Sequence, residues 1–196
     1  MVIVPVYPPV EFGNRDNDPV AVVMAFGATD HEAHVGAPPS WLGPSLRMHS
    51  CRKEAGAQPL GIHLEGPYLD PERRGAFPPE LLREPNVDEM EDYLRAAKGY
   101  IRIVTLAPNL PYSRSVARRL RKAGVLASLG HSNTSYEEAA SALSEDFPLV
   151  THVFNAMSGL HHRSPGVVGA ILTSERAIGM LICDGIHVHP AAEACS

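Results

Sequence analysis

Residues 101–132, IRIVTLAPNLPYSRSVARRLRKAGVLASLGHS, decide the fold. The apolar run Ile101–Leu106 suits a buried strand, and Val125–Leu129 suits a second. Between them Ser113 can cap a helix whose Val116 and Leu120 share one face, and Gly124 stands at its C-terminal end. Strand, helix and strand at this spacing make a βαβ unit, which requires a parallel sheet.

The same rhythm extends in both directions. Leu60–Leu64, Leu149–Phe154 and Ile178–Cys183 are further short apolar runs that fit buried strands. Val87, Met90, Leu94 and Ala97 fall on one helical face, with Gly99 as the stop. Ser135 with Glu138, like Thr134 with Glu137, has capping-box spacing and starts a third helix. Residues 1–58 differ: seven prolines, weak periodicity and one packed segment, Val20–Phe26, read as a strand or helix. The chain is therefore divided into a poorly patterned segment, 1–58, and a regular α/β domain, 59–196.

Polar residues cluster just after the predicted strands: Glu65, Asn109, His131, His152 and Asp184. A (β/α)8 barrel of TIM type builds its active site at that rim. Five such strands make only part of a barrel. An open doubly wound sheet is the alternative, since it also binds ligands beyond its strand ends. No G-x-G-x-x-G follows the first strand, so a dinucleotide site has no support.

Composition removes other classes. With 17 basic and 22 acidic residues among 196, the net charge of −5 leaves no electrostatic footprint for nucleic acid. No apolar run approaches the ~20 residues of a spanning helix. Pro5, Pro8 and Pro9 interrupt any secretory leader, and three scattered cysteines point to a reducing compartment, so a cytoplasmic location is expected. Cys183, inside an apolar run, reads as an inert core residue.

Glu65, His131 and His152 each end a different predicted strand. One carboxylate and two imidazoles make a three-ligand shell for a catalytic divalent metal, with a position left open. Singly, each has a plainer role, as a salt-bridge partner or a satisfied core side chain. His63 shares a strand face with Glu65 and reads as a hydrogen-bonded interior histidine or a further orienting group. Asn155 and Ala156 leave the strand in THVFNAM and offer backbone N–H groups. Arg163, in HHRSPG, is a loop arginine that reads either as solvated surface or as a fork suited to phosphate, while His161 and His162 read as surface or lining residues. His187 and His189 alternate in DGIHVHP, and spacing does not choose between them as donors to an oxyanion.

GIHLEGPYLDPERRGAF, IRIVTLAP, SLGHSNTSYEEA, VTHVFNAM, HHRSPGVVGAIL and ICDGIHVHP, in this order, closely resemble the N-acetylglucosamine-6-phosphate deacetylases of the amidohydrolase superfamily. The resemblance covers roughly residues 58–190. It implies a metal-dependent barrel enzyme that hydrolyses the acetamide of N-acetylglucosamine 6-phosphate to glucosamine 6-phosphate and acetate. It implies Glu65, His131 and His152 as ligands of a divalent metal, Zn²⁺ or Fe²⁺ foremost. Asn155, Ala156 and Arg163 then contact the phosphosugar, with Arg163 reaching in from the neighbouring subunit of a homodimer. His187, chosen over His189, polarises the amide carbonyl as a catalytic residue.

The departures matter as well. The family's general-base Asp, in a V-T-D-A motif, belongs beyond the DGIHV segment, and its β-sandwich and first-strand H-x-H-G are also without counterparts here. A truncated form with a partial barrel is therefore expected, whose alternative role is to bind metal or phosphosugar without turnover. A related amidohydrolase acting on another amide is the remaining alternative. Phe77 stands where the family has a sugar-contacting His, and residues 28–50 depart from the expected strand, so His31, His34 and His49 receive no role.

Overall fold

The computed structural model describes the backbone of residues 21–26 and 58–60 and the whole of residues 61–194. Its six strands are β1 (Ala21–Phe26), β2 (Gln58–Glu65), β3 (Ile101–Leu106), β4 (Leu126–Leu129), β5 (Leu149–Val150) and β6 (Ile178–Gly179). They form one sheet in the order β1-β2-β3-β4-β5-β6, and every pairing is parallel. Strand order that follows chain order without reversal has no topological switch point. That excludes the doubly wound sheet and leaves the curved wall of a barrel, with crossovers on its outer side.

The helices between the strands are α1 (Val87–Ala96), α2 (Ser113–Lys122), α3 (Tyr136–Glu145) and α4 (Gly166–Leu172), with a short α5 (Pro190–Glu193) at the end. They pack their apolar faces on the outer side of the sheet. Met90 and Tyr93 from α1, Val116, Ala117 and Leu120 from α2, and Ala139 and Leu143 from α3 join Val104, Leu106, Leu129 and Val150 in one buried core. A smaller cluster of Ile103, Leu149 and Met180 lies apart from it. Asp146, at the end of α3, is buried and ionically paired with Arg114 and Arg118 of α2, which fixes the two helices against each other.

Local signals acted as the residues predict in most places. The capping box is complete at α3: Ser135 Oγ accepts from Glu138 N at 3.2 Å, and the Glu138 carboxylate accepts from Ser135 N. Of the two spacings weighed, only Ser135–Glu138 is used, and Thr134 Oγ1 donates to the same carboxylate. Asn86 caps α1 by accepting from Asp88 N and Glu89 N, and Gly99 stops it in the left-handed region at φ 80°.

Four expectations are corrected. Ser113 is the first helical residue, not the cap: Tyr112 precedes it at φ 63°, and the buried Ser113 Oγ finds no partner among the described residues. The strands expected over Leu149–Phe154 and Ile178–Cys183 stop after two residues each, because the chain turns away toward the rim. Cys183 is exposed, not core. α4, not foreseen, buries six of its seven residues and so has no polar face to give it a period.

Replacing Ser135 by Ala removes the cap of α3 and lowers stability by about 1 kcal/mol, measured as a shift of the urea midpoint at constant slope.

Candidate metal centre

The parallel register sets the strand ends level. Glu65 pairs with Thr105, Thr105 with Ser128, and Ser128 with Leu149, so the residues following each strand meet at one rim. Glu65 is the last residue of β2, His131 lies two beyond β4, and His152 two beyond β5. Glu65 Oε1 stands 2.8 Å from His131 Nε2 and 2.9 Å from His152 Nε2, and the two nitrogens are 3.0 Å apart. All three groups are largely buried, and their candidate ligand atoms lie within 4.8 Å of one another.

This donor set has a definite electrostatic character. His131 Nδ1 lies 2.9 Å from the carbonyl oxygen of Arg73, which can only accept. The Nδ1 proton is therefore placed there, and with Nε2 unprotonated, as a metal ligand must be, its lone pair faces Glu65 and His152. A carboxylate oxygen and an imidazole lone pair this close repel unless positive charge lies between them. The residues thus fit a divalent cation, and one oxygen with two nitrogens suits Zn²⁺ or Fe²⁺. Burial works against ionising Glu65, but where no cation lies between them, protons shared with His131 and His152 outweigh it and hold the carboxyl well below its ordinary range.

Both histidines sit in the left-handed region, His131 at φ 47° and His152 at φ 32°, where side chains larger than glycine rarely settle. Neighbouring structure holds them there. Phe77, buried, sets its ring edge against His131 with centroids 5.1 Å apart. Gly75, at φ 59°, passes so near that a Cβ would stand 3.4 Å from His131 Cε1. Gly130 precedes His131 where a Cβ would meet Thr105 Cγ2 at 2.6 Å, so a side chain is sterically excluded.

Beneath the rim lies a buried polar chain. His63 Nε2 contacts Thr105 Oγ1 at 2.6 Å, Thr105 contacts Thr151 at 2.7 Å, and Thr151 contacts Ser128 at 2.6 Å. His63 is thus the hydrogen-bonded interior histidine, outside the Glu65 group, and its Nδ1 has no partner among the described residues. Burial pushes its pKa down to about 4; the Glu65 carboxylate opposes this and His152 adds to it.

The other expected site residues are not among the three converging side chains, although Asn155 N donates to the His152 carbonyl at 2.9 Å. Asn155 Nδ2 donates to the Val153 carbonyl at 3.4 Å, and the Ala156 carbonyl accepts from Ser132 N at 3.2 Å. Arg163 is exposed in a tight turn closed by His161 and Ser164, and its N–H donates to His161 Nδ1. His161 and His162 are exposed with their rings in contact. His187 is also exposed and pairs its Nδ1 with Asp184 Oδ2 at 2.6 Å. Backbone N–H bonds from His187 and Ile186, then the His187 side chain, pull Asp184 down to about 2. His189 caps α5 by accepting from Ala191 N. His31, His34 and His49 lie outside the described residues.

Sequence reasoning missed Asp70. It is buried, caps the single turn Pro71–Arg73, and accepts from Asn109, which was noted only as a strand-end polar residue. The Asp-Pro step was the available signal.

Fold and site together define the chain as part of a (β/α) barrel with a candidate metal centre at its C-terminal rim. No protein-family model matches the sequence. Individual relatives do. The chain is 41% identical over 161 residues to the N-acetylgalactosamine-6-phosphate deacetylase of Escherichia coli O157:H7, covering 81% of this chain and 43% of that protein. It is 42% identical over 137 residues to the N-acetylglucosamine-6-phosphate deacetylase of Bacillus subtilis, and 46% over 146 to that of Bos taurus. Each of those two matches covers 70% of this chain and 35% of the relative. Among solved structures, a Mycobacterium smegmatis N-acetyl-D-glucosamine-6-phosphate deacetylase variant in complex with N-acetyl-D-glucosamine-6-phosphate superposes with a TM-score of 0.74 at 32% identity, over 88% of this chain and 43% of that one. The Thermotoga maritima N-acetylglucosamine-6-phosphate deacetylase superposes at 0.68 and 29%, over 86% and 43%. The chain is a homologue of the N-acetylglucosamine-6-phosphate deacetylases. It spans about two-fifths of the length of these relatives.

His63 gives a pH-dependent signature. Its folded pKa, about 4, lies below the 6.5 of a free imidazole, so between those values the unfolded chain binds a proton that the folded chain refuses. This contribution to stability is complete above pH 6.5 and is lost as pH falls toward 4, amounting to about 3 kcal/mol. Urea unfolding across that range is expected to show a steeper loss for the native sequence than for His63→Asn.

Proposed function

We propose that the protein hydrolyses the acetamide of N-acetylglucosamine 6-phosphate, releasing acetate and glucosamine 6-phosphate. The observation that carries this reading is the convergence of Glu65, His131 and His152 in a chain whose relatives are deacetylases of N-acetylhexosamine 6-phosphates. In this reading those three hold the divalent metal, Zn²⁺ or Fe²⁺, and residues 59–196 are the domain that does so. A cation bound there supplies Lewis acidity toward the amide oxygen and lowers the pKa of water to about 7.

The chain's own residues do the rest. His131 and His152 stay neutral at Nε2 for the metal, and Glu65 stays ionised. Asn155 and the backbone of Ala156 hold the sugar phosphate, and the fork of Arg163 grips the same group from a neighbouring copy of a homodimer. Asp184 accepts from His187 Nδ1–H and steadies the imidazolium form, whose Nε2–H donates to the carbonyl as negative charge develops on it. Phe77 presents an apolar wall beside His131. A phosphorylated substrate of this kind fits a cytoplasmic enzyme, and among the described residues no helix is long and apolar enough to cross a membrane.

A second reading is binding of metal or phosphosugar without turnover. It is favoured by the exposure of Arg163 and His187, which no hydrogen bond among the described residues joins to the Glu65 group.

Zinc titration of the chain is expected to show one site that disappears in Glu65→Ala. Acetate release is expected from N-acetylglucosamine 6-phosphate, with the N-acetylgalactosamine epimer as competitor. His187→Asn is expected to lower kcat by about 10²-fold or more without loss of the metal. Metal binding with no acetate from either sugar selects the second reading, and a chain that binds no metal through Glu65 overturns both.

A further inference from the structure

Residues 70–73 hold His131 at both of its ends. Asp70 N donates to the His131 carbonyl at 3.0 Å, and the Arg73 carbonyl meets His131 Nδ1 at 2.9 Å. A left-handed, non-glycine residue keeps such a conformation only where surrounding contacts over-determine it. What fixes residues 70–73 is the Asp70 carboxylate. Its Oδ1 accepts from Glu72 N at 2.9 Å, and its Oδ2 accepts from Asn109 Nδ2 at 2.7 Å and Asn133 N at 3.2 Å. Asn109 Oδ1 in turn accepts from Ser132 Oγ at 2.6 Å. One carboxylate therefore joins the loops that follow β2, β3 and β4.

We propose that Asp70 is a positioning residue: by tying these three loops together it keeps the Arg73 carbonyl on His131 Nδ1, and so presents the Nε2 lone pair to the metal centre. The chemistry requires an aspartate. Three N–H donors converge on the side chain, and only a carboxylate offers two oxygens with no proton of its own. In Asp70→Asn the amide oxygen can still cap Glu72, but the NH2 group then faces two donors. Asn109→Asp in that background supplies an acceptor for the new NH2 and still accepts from Ser132, so the pair of changes reverses the direction of one hydrogen bond and keeps the link.

The metal part of this inference rests on the proposed function; the tautomer part does not. The test uses the whole 196-residue chain with [15N]histidine, reading the His131 ring nitrogens by long-range NMR correlation without metal, and zinc affinity by titration. The native sequence is expected to show His131 protonated at Nδ1. Asp70→Asn is expected to mix the two tautomers and weaken zinc binding about tenfold or more, and Asp70→Asn with Asn109→Asp to recover toward native on both readouts. A wild-type tautomer and affinity in Asp70→Asn overturns the proposal, as does a double variant no better than the single one. If Asp70→Asn does not fold, Asn109→Ala, which removes one link and leaves the cap, is expected to move both readouts the same way, and native values there overturn the proposal. If the native chain binds no zinc, the metal-centre reading fails while the tautomer comparison still decides the role of Asp70.

Discussion

The site depends on one constraint, the level register of a parallel sheet. Because Glu65, Thr105, Ser128 and Leu149 stand side by side on β2 to β5, whatever follows each strand arrives at the same height. An antiparallel neighbour would carry its strand end to the opposite rim. Parallel pairing in chain order also sends every crossover to one side, so the helices cover the outer face and the inner one turns toward the barrel axis. Three donors from three strands meet within 3.0 Å only because both conditions hold.

Below that meeting point the barrel interior is polar, and hydrogen bonding offsets the cost of burying its groups except at His63 Nδ1, which has no partner among the described residues. His63, Thr105, Thr151 and Ser128 share three hydrogen bonds. Three hydroxyl protons serve three links when each donates in the same direction, ending on His63 Nε2. Thr151 directly precedes His152 and His63 lies two before Glu65, so the network stiffens the strands that present two of the candidate ligands. Its ionic state is tied to its depth, since burial opposes a charge on His63 more than the nearby Glu65 carboxylate favours one.

Much of this was legible in the residues, and the failures have physical causes. β2, β3 and β4 were readable because a strand covered on both faces is a continuous apolar run. The same rule overran at β5 and β6, where apolar residues continue past the last ladder bond into turns. Phe154 is apolar yet stands at φ 78° in such a turn, and Cys183 follows an apolar run into solvent. α4 was invisible because a helix buried nearly all round has no polar stripe to set its phase. Glu65, His131 and His152 could be named from strand-end position, and the structure brings their side chains together. Asp70 could not be found that way, because its importance lies in three long-range hydrogen bonds that leave no periodic trace. Arg163 was readable as a loop arginine beside a Pro-Gly turn, whereas spacing did not tell that His187 is exposed; among the described residues the hydrogen bonds of both stay within their own segments.

That last contrast defines the organisation of the rim. The metal end is rigid: His131 is fixed at its carbonyl, at its Nδ1 and on its ring edge, by Asp70, Arg73 and Phe77. The strain of its left-handed backbone is tolerated because three independent contacts oppose its release. The ends that the family reaction assigns to phosphate and acyl group are held differently. Arg163 rests in a four-residue turn, and His187 on an aspartate three positions before it. Local contacts of this kind orient a side chain against its own loop but not against the barrel. A cation between Glu65, His131 and His152 therefore meets a site already built. On the proposed function, a phosphosugar would itself supply the contacts that bring Arg163 and His187 to bear, and binding energy spent on that ordering would couple recognition of the phosphate to chemistry at the acetamide.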